Sequence, residues 1–266
     1  MHARSEASLA DARAPRLSTG LARAVAFLTI VPLPARFTGL QVGNADALSG
    51  AAAWFPVVGA GVGALAGGVR LLGDEVLSVT VATVLAMIAL VILTGALHQD
   101  GLADTADSLG ARGDRARRLA AMRDSSTGVF GALALIAWAL LMLTTLTSLD
   151  GERALRALVV ACALARWAAL LHAAAAPAAR SDGLGAALQV GRFALVIATA
   201  AAAIVALVIG GLVAGAVAIG AAAVTAALSV AFARQTLGGR TGDTLGATVA
   251  IAEAVVCIVL LGLWQG

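Results

Sequence analysis

Seven stretches of this chain are apolar over about the length a helix needs to cross a lipid bilayer, and nothing else in the sequence constrains the fold so strongly. The hydrocarbon core of a bilayer is about 30 Å thick and a helical residue rises about 1.5 Å, so a span takes about 20 apolar residues. The stretches lie near 47–69, 76–97, 126–149, 154–176, 193–210, 212–233 and 247–265. The block 193–233 is apolar throughout and too long for one helix; Gly210-Gly211 is its natural hinge. Backbone groups inside lipid must be satisfied internally, which leaves helices or closed barrels. The runs do not alternate polar and apolar residues, and alanine and leucine dominate over β-branched types, so strands are not expected. The sequence predicts an all-α, polytopic transmembrane helical bundle of about seven spans.

Composition supports this. Hydrophobic residues make up 61% of the 266 and charged residues 12%, against about 45–50% and about 25% in soluble domains. A disordered chain, a coiled coil and an ordinary soluble enzyme are excluded. The connecting sequence is too short for a separate soluble domain, so residues 1–266 are expected to form a single integral membrane domain. Residues 1–20 form a polar tail of mixed charge. The short apolar stretch Val25–Val31 stops at Pro32 and has no small-residue cleavage site; it is expected to be a short N-terminal interfacial or re-entrant helix.

The basic residues are all arginines, and they sort by loop. Taking seven spans, the N-terminal segment and the loops 98–125, 177–192 and 234–246 fall on one side and hold fourteen of the eighteen arginines. The other side receives Arg70, Arg153 and Arg156, and Arg166 lies within a span. The positive-inside rule then places the N-terminus and the polar loops in the cytoplasm and the C-terminus outside. Nucleic-acid binding is not expected: tyrosine is absent and the arginines form no stripe interleaved with aromatics. Cys162 and Cys257 lie in apolar runs without a partner at metal-ligand spacing and read as small core residues. Oligomeric state is not legible.

The chemistry concentrates in the cytoplasmic segment 98–125. His98 is followed by Asp100, Asp104 and Asp107, which at i, i+4 and i+7 share one helix face. Three carboxylates on one face repel each other, more so at a membrane edge where the dielectric is lowered. A bound divalent cation would offset that repulsion, and an oxygen-only donor set suits Mg²⁺, or Mn²⁺, rather than zinc. Downstream stand Arg115, Arg117, Arg118 and Arg123, then Asp124, Ser125, Ser126, Thr127 and Gly128 at the start of the next span. Metal-holding carboxylates beside arginines and hydroxyls describe a site for phosphates, and amides at a helix start receive anions. The bland alternative is a solvated loop that only anchors topology; it fits the arginines better than the aspartates.

A second polar cluster runs from Arg234 to Glu253. Gly238, Gly239 and Gly242 permit close backbone approach, while Arg240, Thr241 and Asp243 supply charge and a hydroxyl. Glu253 and Arg166 lie inside apolar spans, where ionised side chains are expensive; either they pair with each other or they face a polar cavity. His172 has no motif around it and reads as structural.

These segments resemble the cobalamin synthase family, the adenosylcobinamide-GDP ribazoletransferases. The resemblance runs through most of the chain: Phe27-Leu28-Thr29 with Pro32-Leu33-Pro34, the stretch SGAAAWFPVVGAGVG (49–63), HQDGLADTADSLG (98–110), RRLAAMRDSSTGVFGALAL (117–135), Arg166-Trp167 and GGRTGDTLGA (238–247). Its most specific part is HxDGLADTAD followed at this distance by Arg-Asp-Ser. The chain departs from the family pattern at Ile30, Ser108 and Arg123 and in carrying only Glu253 as an acid in the last span; none of these touches the aspartates. The resemblance implies Mg²⁺-dependent transfer of the cobinamide phosphate from adenosylcobinamide-GDP to α-ribazole, or to α-ribazole 5′-phosphate, with release of GMP, at a bacterial cytoplasmic (inner) membrane. It assigns Asp100, Asp104, Asp107 and Asp124 to the metal and His98, Asp100 and Asp104 to catalysis. Arg117, Arg118, Arg123, Ser125, Arg240, Thr241 and Asp243 are assigned to the substrates.

Two rivals remain at this level. A CDP-alcohol phosphotransferase also uses aspartates and Mg²⁺ on membrane helices, but would carry a second DG-type arrangement with an alanine-arginine pair, where Gly101 is followed by Leu102-Ala103-Asp104. A transporter would place charges near mid-membrane in two related halves, and the 98–125 pattern has no repeat.

Overall fold

In the computed structural model, which describes residues 17–34, 50–111, 113–124 and 126–265, the chain forms helices with short connections. They are α1 (Leu17–Leu28), α2 (Phe55–Gly73, entered through a 3₁₀ turn at Ala52–Trp54), α3 (Val79–Leu93), α4 (Leu97–Gly110), α5 (Arg115–Ala121), α6 (Val129–Thr147), α7 (Gly151–Ala175), α8 (Leu184–Ala187), α9 (Arg192–Gly210), α10 (Leu212–Leu237) and α11 (Gly242–Gln265). Among the described residues the only β pairing is an isolated bridge between Ala178 and Arg240. Among the described residues six helices are long and apolar enough to cross a bilayer, at 52–73 and at α6, α7, α9, α10 and α11.

The expected second span, 76–97, is the exception. Its helical part, α3, has 15 residues, about 22 Å of rise and short of the hydrocarbon thickness. It is followed by Gly95 and Ala96, both in the left-handed region at φ 60° and 58°. The chain then turns through 87° into α4, so the seventh crossing exists only if α3 and α4 are counted as one broken span. The segment taken from sequence as a loop, 98–125, is largely the two helices α4 and α5. The expected N-terminal helix is present but displaced: α1 begins at Leu17, inside the stretch taken as a tail, and ends at Leu28.

Local sequence explains most boundaries. Ser78, Asp114 and Asp150 each accept a hydrogen bond from the amide three residues on and cap α3, α5 and α7. The 193–233 block breaks where expected, because Gly211 takes φ 87°, a conformation other residues avoid. α7 is the axis of the bundle, with buried residues along its whole length. α2 lies directly on it: a Cβ at Gly59, Gly63 or Gly67 would collide with the backbone of Cys162, Leu158 or Leu155. Glycines at four-residue spacing thus allow backbone contact between helices, which in lipid must supply the attraction that water supplies elsewhere.

Contacts define the two ends. At one, Arg70 Nη2 donates to Leu149 O (3.3 Å), Gln265 Nε2 to Ser148 O (3.1 Å), and Arg156 lies over the Trp264 ring. At the other, Ile30 N donates to Leu93 O (2.9 Å), Arg240 N to Pro177 O (2.7 Å) and Arg115 to Ala179 O (2.7 Å). The segments sorted by arginine content to one side therefore do meet at one end of the bundle.

Candidate functional site

The left-handed turn at Gly95-Ala96 lays α4 across the arginine-rich end and divides its residues into two faces. His98, Gln99, Gly101 and Leu102 face inward and are buried, Asp100 is exposed, and Asp104 and Asp107 are half-buried. The helical spacing expected for the three aspartates is present. α4 crosses the start of α11 at two glycines: a Cβ on Gly101 would lie 2.6 Å from Asp243 O, and one on Gly246 would lie 3.1 Å from Leu97 O. This contact brings Asp243, distant in sequence, to the aspartate face of α4. The consequence is electrostatic: burial first, then repulsion from Asp100, Asp243 and Asp107, pushes the Asp104 carboxyl up to about 6.

The aspartates do not all have the same task. Asp107 accepts from Gly128 N (2.7 Å) with one oxygen and from Gly131 N (2.8 Å) with the other. Each of its oxygens thus accepts one amide at the start of α6, the place where a helix has unsatisfied donors. Asp124 accepts from the Ser126 amide (3.0 Å) and hydroxyl (2.6 Å), and these two bonds hold its carboxyl below the usual range in open solvent. Among the described residues no three His, Cys, Asp or Glu side chains are gathered into a ready-made metal shell. Asp100, Asp104 and Asp243 are the carboxylates whose repulsion is left without a compensating cation, apart from Arg180, which donates to Asp243 Oδ2 at 3.3 Å. That donor set fits Mg²⁺, which commonly takes one or two protein carboxylates and completes its octahedron with water and substrate phosphate.

The arginines fall into two kinds. Arg117 is exposed and Arg118 half-buried on α5, both without a carboxylate partner within ion-pair distance among the described residues; Arg123 pairs at the surface with Asp182 (2.8 Å). Arg240, by contrast, is buried and donates to the carbonyls of Ala176 and Leu188. It holds the 176–188 segment against the α10–α11 connection. Thr241 and Thr244 bond reciprocally, Thr244 N to Thr241 Oγ1 (3.1 Å) and Thr241 N to Thr244 Oγ1 (2.9 Å), which closes the start of α11 as a capping box does. Ser125 lies outside the described residues.

Below the aspartates is a cavity of ≈ 130 Å³ lined by His98, Asp100, Arg166 and Asp243 together with apolar side chains from α1, α2, α7, α8 and α11. His98 is buried in its wall; burial, and then the Arg166 guanidinium, hold its pKa well below the ordinary histidine value. Arg166 pairs with Glu253, so the two expensive intramembrane charges do compensate each other, and Arg166 also faces the cavity. His172 is buried against Thr248 Oγ1 (2.8 Å) and stays structural. The sequence reading missed Arg180, which reaches Asp243 only because the 178–240 bridge folds residues 176–188 over α11. It also missed that α1 closes one wall, with Phe27 stacked on Phe55 at 5.6 Å between centroids. Neither has a local signal: both are contacts between segments far apart in the chain.

A family model described as cobalamin-5-phosphate synthase matches residues 20–261. Proteins named adenosylcobinamide-GDP ribazoletransferase are similar along almost their full length. The one from Azorhizobium caulinodans is 37% identical, covering 91% of this chain and 94% of its own. Those from Desulforamulus reducens and Leptothrix cholodnii are 36% and 39% identical, over 92% and 91% of this chain. No solved structure matches.

Proposed function

The chain belongs to the cobalamin-5-phosphate synthase family and is a transferase of the adenosylcobinamide-GDP ribazoletransferase type, and on that premise we propose that it joins adenosylcobinamide-GDP to α-ribazole or its 5′-phosphate at the aspartate face of α4, with Mg²⁺. The ribazole hydroxyl oxygen bonds to the phosphorus that carries the cobinamide. The bridging P–O bond of the pyrophosphate breaks, and GMP leaves with the electron pair. When bound, Mg²⁺ supplies positive charge to the pyrophosphate oxygens.

The chain's own groups have the following roles in this proposal. Asp100 and Asp104 hold the cation, beside Asp243. Arg117, Arg118 and Arg123, with Ser125, neutralise phosphate oxygens of the departing nucleotide. A carboxylate of the cluster, or His98 from the cavity wall, takes the hydroxyl proton. Arg240 and Thr241 act by fixing the loop that carries Asp243, and Asp107 by fixing the start of α6. The lipid bilayer is the solvent of the bundle. The arginine-rich end faces the cytoplasm of the bacterial inner membrane, because fourteen of eighteen arginines lie in its segments.

One observation carries this reading: carboxylates from α4 and α11 converge at the arginine-rich end, where Arg180 donates to Asp243 and burial, then repulsion from Asp100, Asp243 and Asp107, raises the Asp104 pKa. The test is purified protein in detergent with Mg²⁺ and both substrates, followed for GMP. Asp104→Asn is expected to lower the rate by on the order of 10²-fold or more while the protein still inserts and purifies as a folded species. Near-normal turnover by that variant would remove the metal assignment. Substrate uptake into sealed vesicles without GMP release would favour a transporter instead.

A further inference from the structure

The cavity below the aspartates has a floor built on Arg166, which has no task in the phosphate chemistry, and on His98, which is there only one of the candidates for the hydroxyl proton. Arg166 is 1% exposed and His98 3%. Arg166 gives Nη1 to Glu253 and to the Cys162 carbonyl (3.4 Å). Its Nε and Nη2, and both ring nitrogens of His98, have no hydrogen-bond partner among the described residues. Glu253 Oε2 is likewise unpartnered. Buried polar groups are nearly always satisfied, because one left bare keeps its full desolvation cost. Four unpartnered nitrogens on two side chains lining one cavity therefore indicate a ligand, or ordered water, that supplies acceptors to Arg166 and both an acceptor and a donor to the neutral His98 ring.

Charge and shape narrow the choice. Glu253 cancels the charge of Arg166, so the floor is polar without being cationic. Asp100 and Asp243 stand at the cavity too, and a bare phosphate would meet their repulsion with no net positive charge below. The walls are aromatic and aliphatic, including Phe27, Phe55, Leu188 and Val249. A volume of ≈ 130 Å³ is room for about four waters, of the order of one flat ring, and far too small for a corrin macrocycle. Apolar walls with a few convergent donors describe a site for an uncharged heterocycle. An arginine fork with two free N–H groups matches adjacent ring-nitrogen and carbonyl acceptors.

We propose that the cavity floored by Arg166 and His98 is a nucleobase pocket, which seats the heterocyclic base of one substrate while its phosphate or ribose hydroxyl reaches the aspartates above. This rests on the transferase reading, which supplies two such rings: the guanine of the GDP arm and the benzimidazole of ribazole. Both are flat and uncharged and carry an acceptor in the ring; guanine alone adds the carbonyl that the full arginine fork would take.

The experiment is equilibrium dialysis of the full chain in detergent with EDTA, using guanosine and α-ribazole as separate probes. One of the two binds saturably at one site per chain, and its identity tells which substrate the pocket serves. Ala169→Phe, which projects a ring into the cavity from α7, weakens that binding at least tenfold. So does the joint exchange Arg166→Met with Glu253→Gln, which removes the donors without stranding a buried charge. Size-exclusion and thermal melting identify a variant that fails to fold, and the other variant then decides. Binding of neither nucleoside to the unaltered protein, or binding that folded variants leave within twofold, means that the cavity holds water only and overturns the proposal. Because no metal and no turnover enter this measurement, it separates from the metal assignment. An active Asp104→Asn enzyme would undo the latter and leave nucleoside binding standing.

Discussion

Asp104 is the residue where environment has changed chemistry most clearly. Its carboxyl is held at about 6 by burial and by the neighbouring Asp100, Asp243 and Asp107. An acid whose folded-state pKa lies above its unfolded value destabilises the fold as it ionises: in the metal-free protein, stability is lost as pH rises from the ordinary carboxylate range to about 6. A cation that prefers the ionised form reverses this. Mg²⁺ is therefore expected to raise the melting temperature more at about pH 7.5 than at about pH 5, and Asp104→Asn should flatten that difference; equal Mg²⁺ stabilisation at both pH values in the unaltered protein would contradict the assignment. Asp107 predicts a different outcome although it belongs to the same motif. Its two bonds to Gly128 N and Gly131 N make it a cap, so Asp107→Ala should cost about 1–2 kcal/mol of stability, seen as a lower melting temperature. The residual Mg²⁺ increment should persist.

At the scale of elements, the site exists because α4 crosses α11 at almost backbone distance. A methyl group on Gly101 would press on the Asp243 carbonyl at 2.6 Å, and backbone cannot swing aside as a side chain does. Gly101→Ala should separate the two helices by a fraction of an ångström and move Asp100 and Asp104 away from Asp243. Misplacement on this scale is expected to lower kcat by about 10²-fold while far-ultraviolet circular dichroism and the elution profile stay unchanged. The α2–α7 contact is the structural counterpart. Gly63→Leu, set against the backbone of Leu158, should prevent the helices from meeting and yield protein that aggregates on detergent extraction, since packing is what joins helices in lipid. The contrast between an inactive but folded Gly101 variant and an unassembled Gly63 variant would distinguish the crossing that builds the site from the one that builds the bundle.

The whole molecule is polar at one end and divides its arginines accordingly. Orientation can be read with a membrane-impermeant thiol reagent, because both native cysteines are buried. In intact spheroplasts, Ser148→Cys, at the end away from the site, should label at once, and Ser126→Cys, beside Asp124, only after permeabilisation. The reverse pattern would invert the topology and place the aspartates outside the cell.

The sequence alone determined the class of fold and the segments that carry the candidate site residues. Apolar run length, glycine at Gly210-Gly211 and the arginine sorting are one-dimensional signals, since each depends on residues close together in the chain and on a uniform solvent, the bilayer. The i, i+4, i+7 spacing placed three aspartates on one helix face for the same reason. Only the tertiary structure decided that Asp107 caps α6, that Arg240 supports a loop, and that Asp243 and Arg180 join the aspartates of α4. It also placed Arg166, paired with Glu253, at the floor of a cavity with α1 as a wall. Each of these is a contact across many tens of residues, fixed by how glycine-lined helices cross. No local pattern encodes a crossing.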